Sequence, residues 1–163
     1  MGVYYGRQDA SNLFREYGVV KVNYIFFPYE MRADSLSCYR NPVVKMPNYD
    51  RLASEGVRFD KCFVQHTVCS PSRCSLMTSW YPHVRGHRTL WNLLCKNEPS
   101  LFRYSKEHFK KIMAVYLRMN SYVDWMLGKI LDALDKSDLC ENTIVIVSSV
   151  HGDWAGDYGL VEK

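Results

Sequence analysis

The pattern of hydrophobic and polar positions predicts two buried strands and one long amphipathic helix. Residues 20–28 are β-branched and aromatic, become continuously apolar and end at a proline, which is typical of a central strand in a covered sheet. Residues 142–149 have the same buried-strand pattern. Apolar residues recur at helical spacing over residues 112–134, which predicts a long helix ending near Lys136.

Shorter signals predict two further elements. Residues 47–56 read as a short helix, because proline suits a first helical turn and glycine commonly follows the last one. The alternating residues 57–64 predict a strand. The first 20 residues are non-periodic apart from a helical pattern at 12–17. We interpret them as a surface extension.

Composition places the chain among ordinary soluble globular proteins. It has 163 residues, 47% of them hydrophobic and 23% charged, which is enough for one domain with a core. The net charge of +4 is spread along the chain, so it predicts a modest attraction to anions and no nucleic-acid binding. No apolar run is long enough to span a bilayer and no signal-peptide pattern is seen, so we expect no membrane partner and a cytoplasmic location. The six cysteines lack paired CxxC spacing, which argues against zinc.

The candidate chemistry centres on the pentapeptide Cys69-Ser70-Pro71-Ser72-Arg73. Pro71 is suited to a first helical turn, and either neighbouring serine is suited to cap it. Cys69 would then lie at the positive end of a helix, where anions bind and thiols become more reactive. Arg73 adds a cation whose forked donors match a tetrahedral oxyanion. The alternative is a buried cysteine that merely precedes a helix.

The residues that follow the pentapeptide allow a comparison with a specific protein family. Together with the pentapeptide they are Leu76, Thr78, Pro82 and His83. This stretch resembles the sulfatase signature Cys-x-Pro-x-Arg, and residues 48–59 and 121–131 also resemble sulfatase sequences. The chain is similar to formylglycine-dependent sulfatases of the alkaline phosphatase superfamily. The resemblance implies an α/β fold with a mainly parallel central sheet, helices on both faces and a site at the carboxyl ends of the strands.

The resemblance also implies a domain organisation for the chain. It implies an atypical N-terminal extension at 1–19 and a partial sulfatase catalytic domain at 20–163, with matching blocks at 20–104 and 112–163. The middle segment of the family is missing near 105–111, and the family continues where this chain stops. We therefore expect a truncated and internally deleted catalytic domain.

The implied reaction is hydrolysis of a sulfate monoester, carried by a small molecule or a sulfated glycan. In the family a separate maturation enzyme converts the cysteine, here Cys69, to formylglycine, whose hydrated aldehyde is the nucleophile. A divalent cation, most simply calcium, polarises the sulfate group, and Arg73 stabilises the developing charge. His83, Arg85 and His87 are candidate substrate-binding residues, or else belong to an exposed basic loop.

Two of the family's metal positions are substituted. Glu30, His151 and Cys69 remain at metal positions, whereas Tyr29 and Val150 stand where the family has carboxylates. Calcium takes about 6–8 oxygen ligands, so we expect tight binding to be lost. We further expect the strands at 22–28 and 143–149 to be parallel neighbours that bring their metal positions to one sheet edge.

Three functions stay open at this point. The first is an active sulfatase or related phosphodiesterase. The second is a degenerate, catalytically dead fragment. The third is a non-catalytic module that binds oxyanions between Cys69 and Arg73. The substituted metal positions and the missing segment lead us to expect impaired hydrolysis.

Overall fold

The computed structural model of the protein describes residues 2–5, 22–84, 105–140, 143–155 and 157, with the backbone alone for residues 2–5, 22 and 23. Its strands are β1 (Gly2–Tyr5), β2 (Val22–Phe26), β3 (Val57–Phe59) and β4 (Thr143–Ser148). Its α-helices are α1 (Pro47–Glu55), α2 (Cys69–Thr78) and α3 (Lys106–Asp135). Two single 3-10 turns lie at Ala33–Ser35 and Ser37–Tyr39.

The strands of the described chain form one sheet in the order β2-β4-β1-β3. β2 and β4 pair in parallel, with Val22 opposite Thr143 and Phe26 opposite Val147. The predicted parallel pairing is therefore confirmed. β1, however, runs antiparallel to both β4 and β3. Within the described residues the sheet is thus mixed, and the prediction of a mainly parallel sheet is too simple.

The first strand also corrects the interpretation of the N-terminal segment. Gly2–Tyr5 lie inside the sheet, so a surface extension is wrong for these residues. The segment shows no buried-strand pattern, but a ladder is built from backbone donors and acceptors and does not require one. The helical pattern at 12–17 lies outside the described residues.

The long helix α3 is present and begins earlier than its apolar pattern predicts. Ser105 caps it: the hydroxyl accepts from the backbone N–H of His108, and the His108 ring accepts from the N–H of Ser105. This capping box adds a polar turn that hydrophobic spacing does not mark. α3 packs with α1 over β4 around a core of fully buried side chains. These are Met31, Leu36, Met46, Tyr49, Leu52, Leu127, Leu131, Val145 and Val147.

A buried carboxylate joins α3 to α1. Asp124 accepts from the backbone N–H groups of Asn48 at 3.1 Å and of Tyr49 at 2.9 Å, so it caps the start of α1 from another helix. The helices approach closely at Gly128, where a Cβ would lie 2.7 Å from the Asn48 side chain. Burial raises the pKa of Asp124.

The helix α2 lies on the other side of the parallel pair. Val145 and Val147 face the core shared with α1 and α3. Ser148 faces away from it, because successive strand side chains alternate, and lines a cleft of ≈ 430 Å³ with Ser72 and Leu76 of α2. The α/β class is therefore confirmed for the described part of the chain. No helix in that part combines the length and apolarity that crossing a membrane requires.

Candidate active site

Three potential ligand side chains meet beyond the carboxyl ends of β2 and β4. Glu30 follows β2, His151 follows β4 and Cys69 is the first residue of α2. The Cys69 Sγ atom lies 3.0 Å from His151 Nε2 and 3.8 Å from Glu30 Oε1. Their ligand atoms all lie within 4.8 Å of one another. The parallel pairing thus brings Glu30 and His151 to one edge, as expected.

The start of α2, which carries Cys69, is fixed to the loop that follows β4. α2 begins at Cys69 itself, earlier than the predicted start near Pro71. Val68 occupies the capping position and provides no side-chain bond, so neither serine caps the helix as the sequence suggested. Ser72 instead donates its hydroxyl proton to the carbonyl of Val150 at 2.6 Å. This bond ties α2 directly to the loop that carries His151.

The orientation of His151 follows from its neighbours. The side chain is buried, and Nδ1 lies 2.8 Å from the carbonyl oxygen of Gly152. Since a carbonyl only accepts, this contact favours the tautomer with the proton on Nδ1, which presents Nε2 to Cys69 as an acceptor. A Cβ at Gly152 would lie 2.8 Å from the Arg32 side chain, so the loop needs glycine there.

Glu30 adopts an unusual backbone conformation that α3 supports. Its φ of 58° is left-handed, which is uncommon for a residue other than glycine. The Tyr116 hydroxyl donates to the Glu30 carbonyl at 2.8 Å and accepts from the Arg32 N–H at 2.9 Å. Tyr116 therefore positions the loop that carries Glu30. Sequence reasoning placed Tyr116 only in the apolar pattern of the helix, because spacing does not reveal where a hydroxyl bonds.

Tyr29 and Arg73 cover Cys69 on the solvent side. The Tyr29 hydroxyl contacts the Cys69 sulfur, and the Arg73 guanidinium carbon lies 5.4 Å from the centre of the Tyr29 ring. An open pocket of ≈ 570 Å³ lies here. It is lined by Tyr29, Cys69, Ser70, Arg73, Cys74 and Met77. The pocket combines a fixed cation with a sulfur at a helix N-terminus, an arrangement suited to anions.

The remaining predicted site residues lie elsewhere. His83 is exposed, stacks on Tyr81 with the ring centres 5.7 Å apart and does not line the Cys69 pocket. Arg85 and His87 lie outside the described residues. Val150 is buried and lines the neighbouring cleft beside Ser72.

Comparison with known proteins identifies the family. Residues 30–111 and 102–161 match the family model described as Sulfatase. The chain belongs to the sulfatase family. No solved structure gives a significant match to this sulfatase chain.

Several sulfatases of known name are similar over part of the chain. N-acetylglucosamine-6-O-sulfatase of Bacteroides thetaiotaomicron is 30% identical over 58% of this chain and 15% of its own length. Human iduronate 2-sulfatase is 32% identical over 59% of this chain and 16% of its own length. Arylsulfatase H of Canis lupus familiaris is 42% identical over 39% of this chain and 11% of its own length. The chain thus spans about a sixth or less of these relatives.

The calcium ion that sulfatase resemblance implies does not fit these side chains. Calcium takes oxygen ligands, but the cluster offers one carboxylate, one sulfur and one nitrogen. Tyr29 places an aromatic ring and a hydroxyl against the sulfur, and Val150 supplies no donor from its side chain. The donor set is therefore wrong for a hard cation.

Proposed function

We propose that the Cys69 pocket of this sulfatase binds sulfate monoesters and hydrolyses them slowly. The observation that carries the proposal is the pairing of Cys69 Sγ with His151 Nε2 at 3.0 Å, in a pocket that also contains Arg73. The names of two relatives, an N-acetylglucosamine-6-O-sulfatase and an iduronate 2-sulfatase, refer to sulfated sugar units. A sulfated glycan is therefore the substrate class we propose.

The nucleophile would be supplied at position 69. Conversion of Cys69 to formylglycine by a maturation enzyme would place an aldehyde where the sulfur now lies. Addition of water to this aldehyde would give a gem-diol, whose hydroxyl is the attacking group. His151 presents an unprotonated Nε2 towards this position and is suited to accept the proton of the attacking group. Arg73 offers forked N–H donors to the sulfate oxygens.

We expect slow turnover because little positive charge faces the sulfate group. The pocket side chains include one permanent cation, Arg73, and the adjacent cluster contributes one carboxylate, Glu30, whereas calcium takes about 6–8 oxygen ligands. Transition-state stabilisation in such reactions is mainly electrostatic, so the loss of a divalent cation is costly.

The test is turnover of an aryl sulfate by the full chain co-expressed with a formylglycine-generating enzyme. Mass spectrometry of the peptide containing residue 69 measures its conversion. We expect slow hydrolysis that Arg73→Ala abolishes. Arg118→Ala, which removes the same charge from an exposed position of α3, should leave the rate unchanged. Converted protein without turnover would refute hydrolysis.

The substituted metal positions favour a second candidate, a non-catalytic oxyanion-binding module. In this case sulfate and phosphate would bind in the same pocket without ester hydrolysis. Isothermal titration with sodium sulfate separates the two: binding that Arg73→Ala removes, without turnover by converted protein, supports the module. Neither binding nor turnover would support a degenerate fragment.

A further inference from the structure

The Glu30, Cys69 and His151 cluster has the donor atoms of a transition-metal site. Among the described residues it is the one group in which three or more such side chains bring their ligand atoms together. A thiolate, an imidazole and a carboxylate are the three ligand types that zinc takes in proteins. Two of the three ligand residues are also buried, since Cys69 is 7% and His151 3% exposed.

The spacing of the donors fits zinc. Zinc–ligand bonds of about 2.3 Å to sulfur and 2.0–2.2 Å to nitrogen or oxygen, in a tetrahedron, separate the ligand atoms by about 3.3–3.6 Å. The observed separations are 3.0 Å from sulfur to His151 Nε2 and 3.8 Å from sulfur to Glu30 Oε1. The ligand atoms of Glu30 and His151 lie within 4.8 Å of each other, so modest side-chain rotations would bring all three protein ligands to a zinc ion.

Surrounding contacts already orient the donors. His151 donates Nδ1–H to the Gly152 carbonyl at 2.8 Å, which leaves Nε2 as the ligating nitrogen. Metal-binding histidines usually make this kind of outer contact. The Cys69 sulfur lies at the first residue of α2 and contacts the Tyr29 hydroxyl, so its position is fixed from two sides.

We propose that the unconverted chain, with a free thiol at Cys69, binds one zinc ion through Cys69 Sγ, His151 Nε2 and the Glu30 carboxylate. A fourth ligand, water or an anion, would come from the pocket that Cys69 and Arg73 line. Cysteine spacing argued against zinc, but this site is assembled from three separate segments and spacing cannot show it. The proposal is independent of sulfate-ester hydrolysis, because conversion of Cys69 would remove the sulfur ligand.

The first test uses the unmodified chain and needs no variant. Intact mass first verifies that residue 69 is cysteine. The apo-protein is then alkylated with iodoacetamide in the presence of zinc, calcium or neither, and each cysteine peptide is quantified. We expect zinc to slow alkylation of Cys69 at least about tenfold, and to leave the exposed Cys62 unaffected. Equal labelling of Cys69 with and without zinc, or equal protection by calcium, would overturn the proposal.

The second test reads the sulfur–metal bond directly. Cobalt substitution should give a sulfur-to-cobalt charge-transfer absorption in the near ultraviolet, with one equivalent of cobalt per chain. Cys69→Ser should abolish the band, and His151→Gln should weaken cobalt affinity by more than the roughly 10- to 100-fold typical of a lost outer contact. Cys74→Ser is the matched control, since Cys74 lines the same pocket but lies outside the cluster. A band that survives in Cys69→Ser, or that Cys74→Ser removes, would refute the assignment.

A failure of the zinc proposal can be distinguished from a failure of the proposed hydrolysis. Zinc binding is measured on unconverted protein, whereas ester hydrolysis is measured on converted protein. A chain that hydrolyses an aryl sulfate but never binds zinc refutes only the zinc site, and the opposite result refutes only hydrolysis.

Discussion

The sulfur of Cys69 lies 3.0 Å from Nε2 of His151, although 82 positions separate the two residues in the chain. The contact depends on the docking of α2 against the end of β4, which the Ser72 bond to the Val150 carbonyl secures at 2.6 Å. In the tautomer with its proton on Nδ1, Nε2 is placed to accept from the thiol. The pair therefore gives Cys69 a neighbour that favours the reactive thiolate.

We predict that Cys69 is alkylated faster than Cys38 in the metal-free chain. Burial raises the pKa of Cys38 from 9.0 to about 11, which lowers its thiolate fraction at pH 8 by about 100-fold. Cys69 is only 7% exposed, but it lines a pocket that opens to solvent and faces His151. His151→Gln should slow the alkylation of Cys69, and His83→Gln, at an exposed histidine, should not. Rates come from peptide mass spectrometry, and Cys69 reacting no faster than Cys38 would contradict the prediction.

The cap that Asp124 provides for α1 predicts a clear stability effect. Asp124→Ala would leave the buried N–H group of Tyr49 and the part-buried N–H group of Asn48 without their acceptor, at a cost of about 2–4 kcal/mol. Asp124→Asn keeps one oxygen acceptor and should cost less. Asp132→Ala, at an exposed position of the same helix, should change stability by less than about 0.5 kcal/mol. Urea unfolding of the four proteins measures these differences, and equal losses in the two alanine variants would argue against the cap.

The same carboxylate predicts a pH dependence. Burial raises the Asp124 pKa in the folded chain above its ordinary value of 3.8, so the folded state binds the proton more tightly than the unfolded state. This contribution to stability is complete below pH 3.8 and is lost as the pH rises through the raised value. The stability of the unchanged chain relative to Asp124→Asn should therefore fall with rising pH in this window and then stay constant. Urea unfolding of both proteins across the acidic range is the measurement, and a relative stability that rises with pH would reverse the sign we expect.

The end of α2 predicts a stabilising substitution. Ser79 follows the helix with a left-handed φ of 57°, and its N–H bonds to the Ser75 carbonyl at 2.8 Å. Glycine adopts this conformation without a Cβ clash. Ser79→Gly should stabilise the chain by about 0.5–1 kcal/mol. Ser79→Ala keeps the Cβ and serves as the control, so equal unfolding midpoints for the two variants would rule out the conformational explanation.

The sequence predicted the parts of this fold whose signals are local or buried. Residues 22–28 and 143–149 carry continuous apolar runs, and their parallel pairing, with Glu30 and His151 at one edge, was predictable. The position of Gly2–Tyr5 was not predictable. This strand lies between β4 and β3 and pairs with both through backbone hydrogen bonds, which leave no signature in the side-chain pattern.

The unpredicted parts of the candidate site are hydrogen bonds between distant segments. Tyr116 holds the Glu30 loop through its hydroxyl, and Ser72 bonds to the Val150 carbonyl in the loop after β4 instead of capping its own helix. Both residues have ordinary alternative roles in a helix, so residue type and spacing do not distinguish these roles. Tertiary contacts decide them.

The last prediction concerns calcium, which the present donor set does not suit. Tyr29 and Val150 stand where sulfatase resemblance places carboxylates, so we expect negligible calcium binding to the chain as it is. Tyr29→Asp alone leaves one side of an ion uncovered, and Val150→Asp alone leaves the Tyr29 hydroxyl against the sulfur. Ligands of one ion act together, so measurable binding should need both substitutions.

Calorimetric titration with calcium of the unchanged chain, both single variants and the double variant tests this expectation. The matched control is Val115→Asp with Tyr122→Asp, which adds two carboxylates at exposed positions of α3 and should bind no calcium. Micromolar binding by the unchanged chain would show that the present ligands suffice. A double variant that does not bind would show that residue 150 does not reach the ion, in keeping with its position in the cleft beside Ser72.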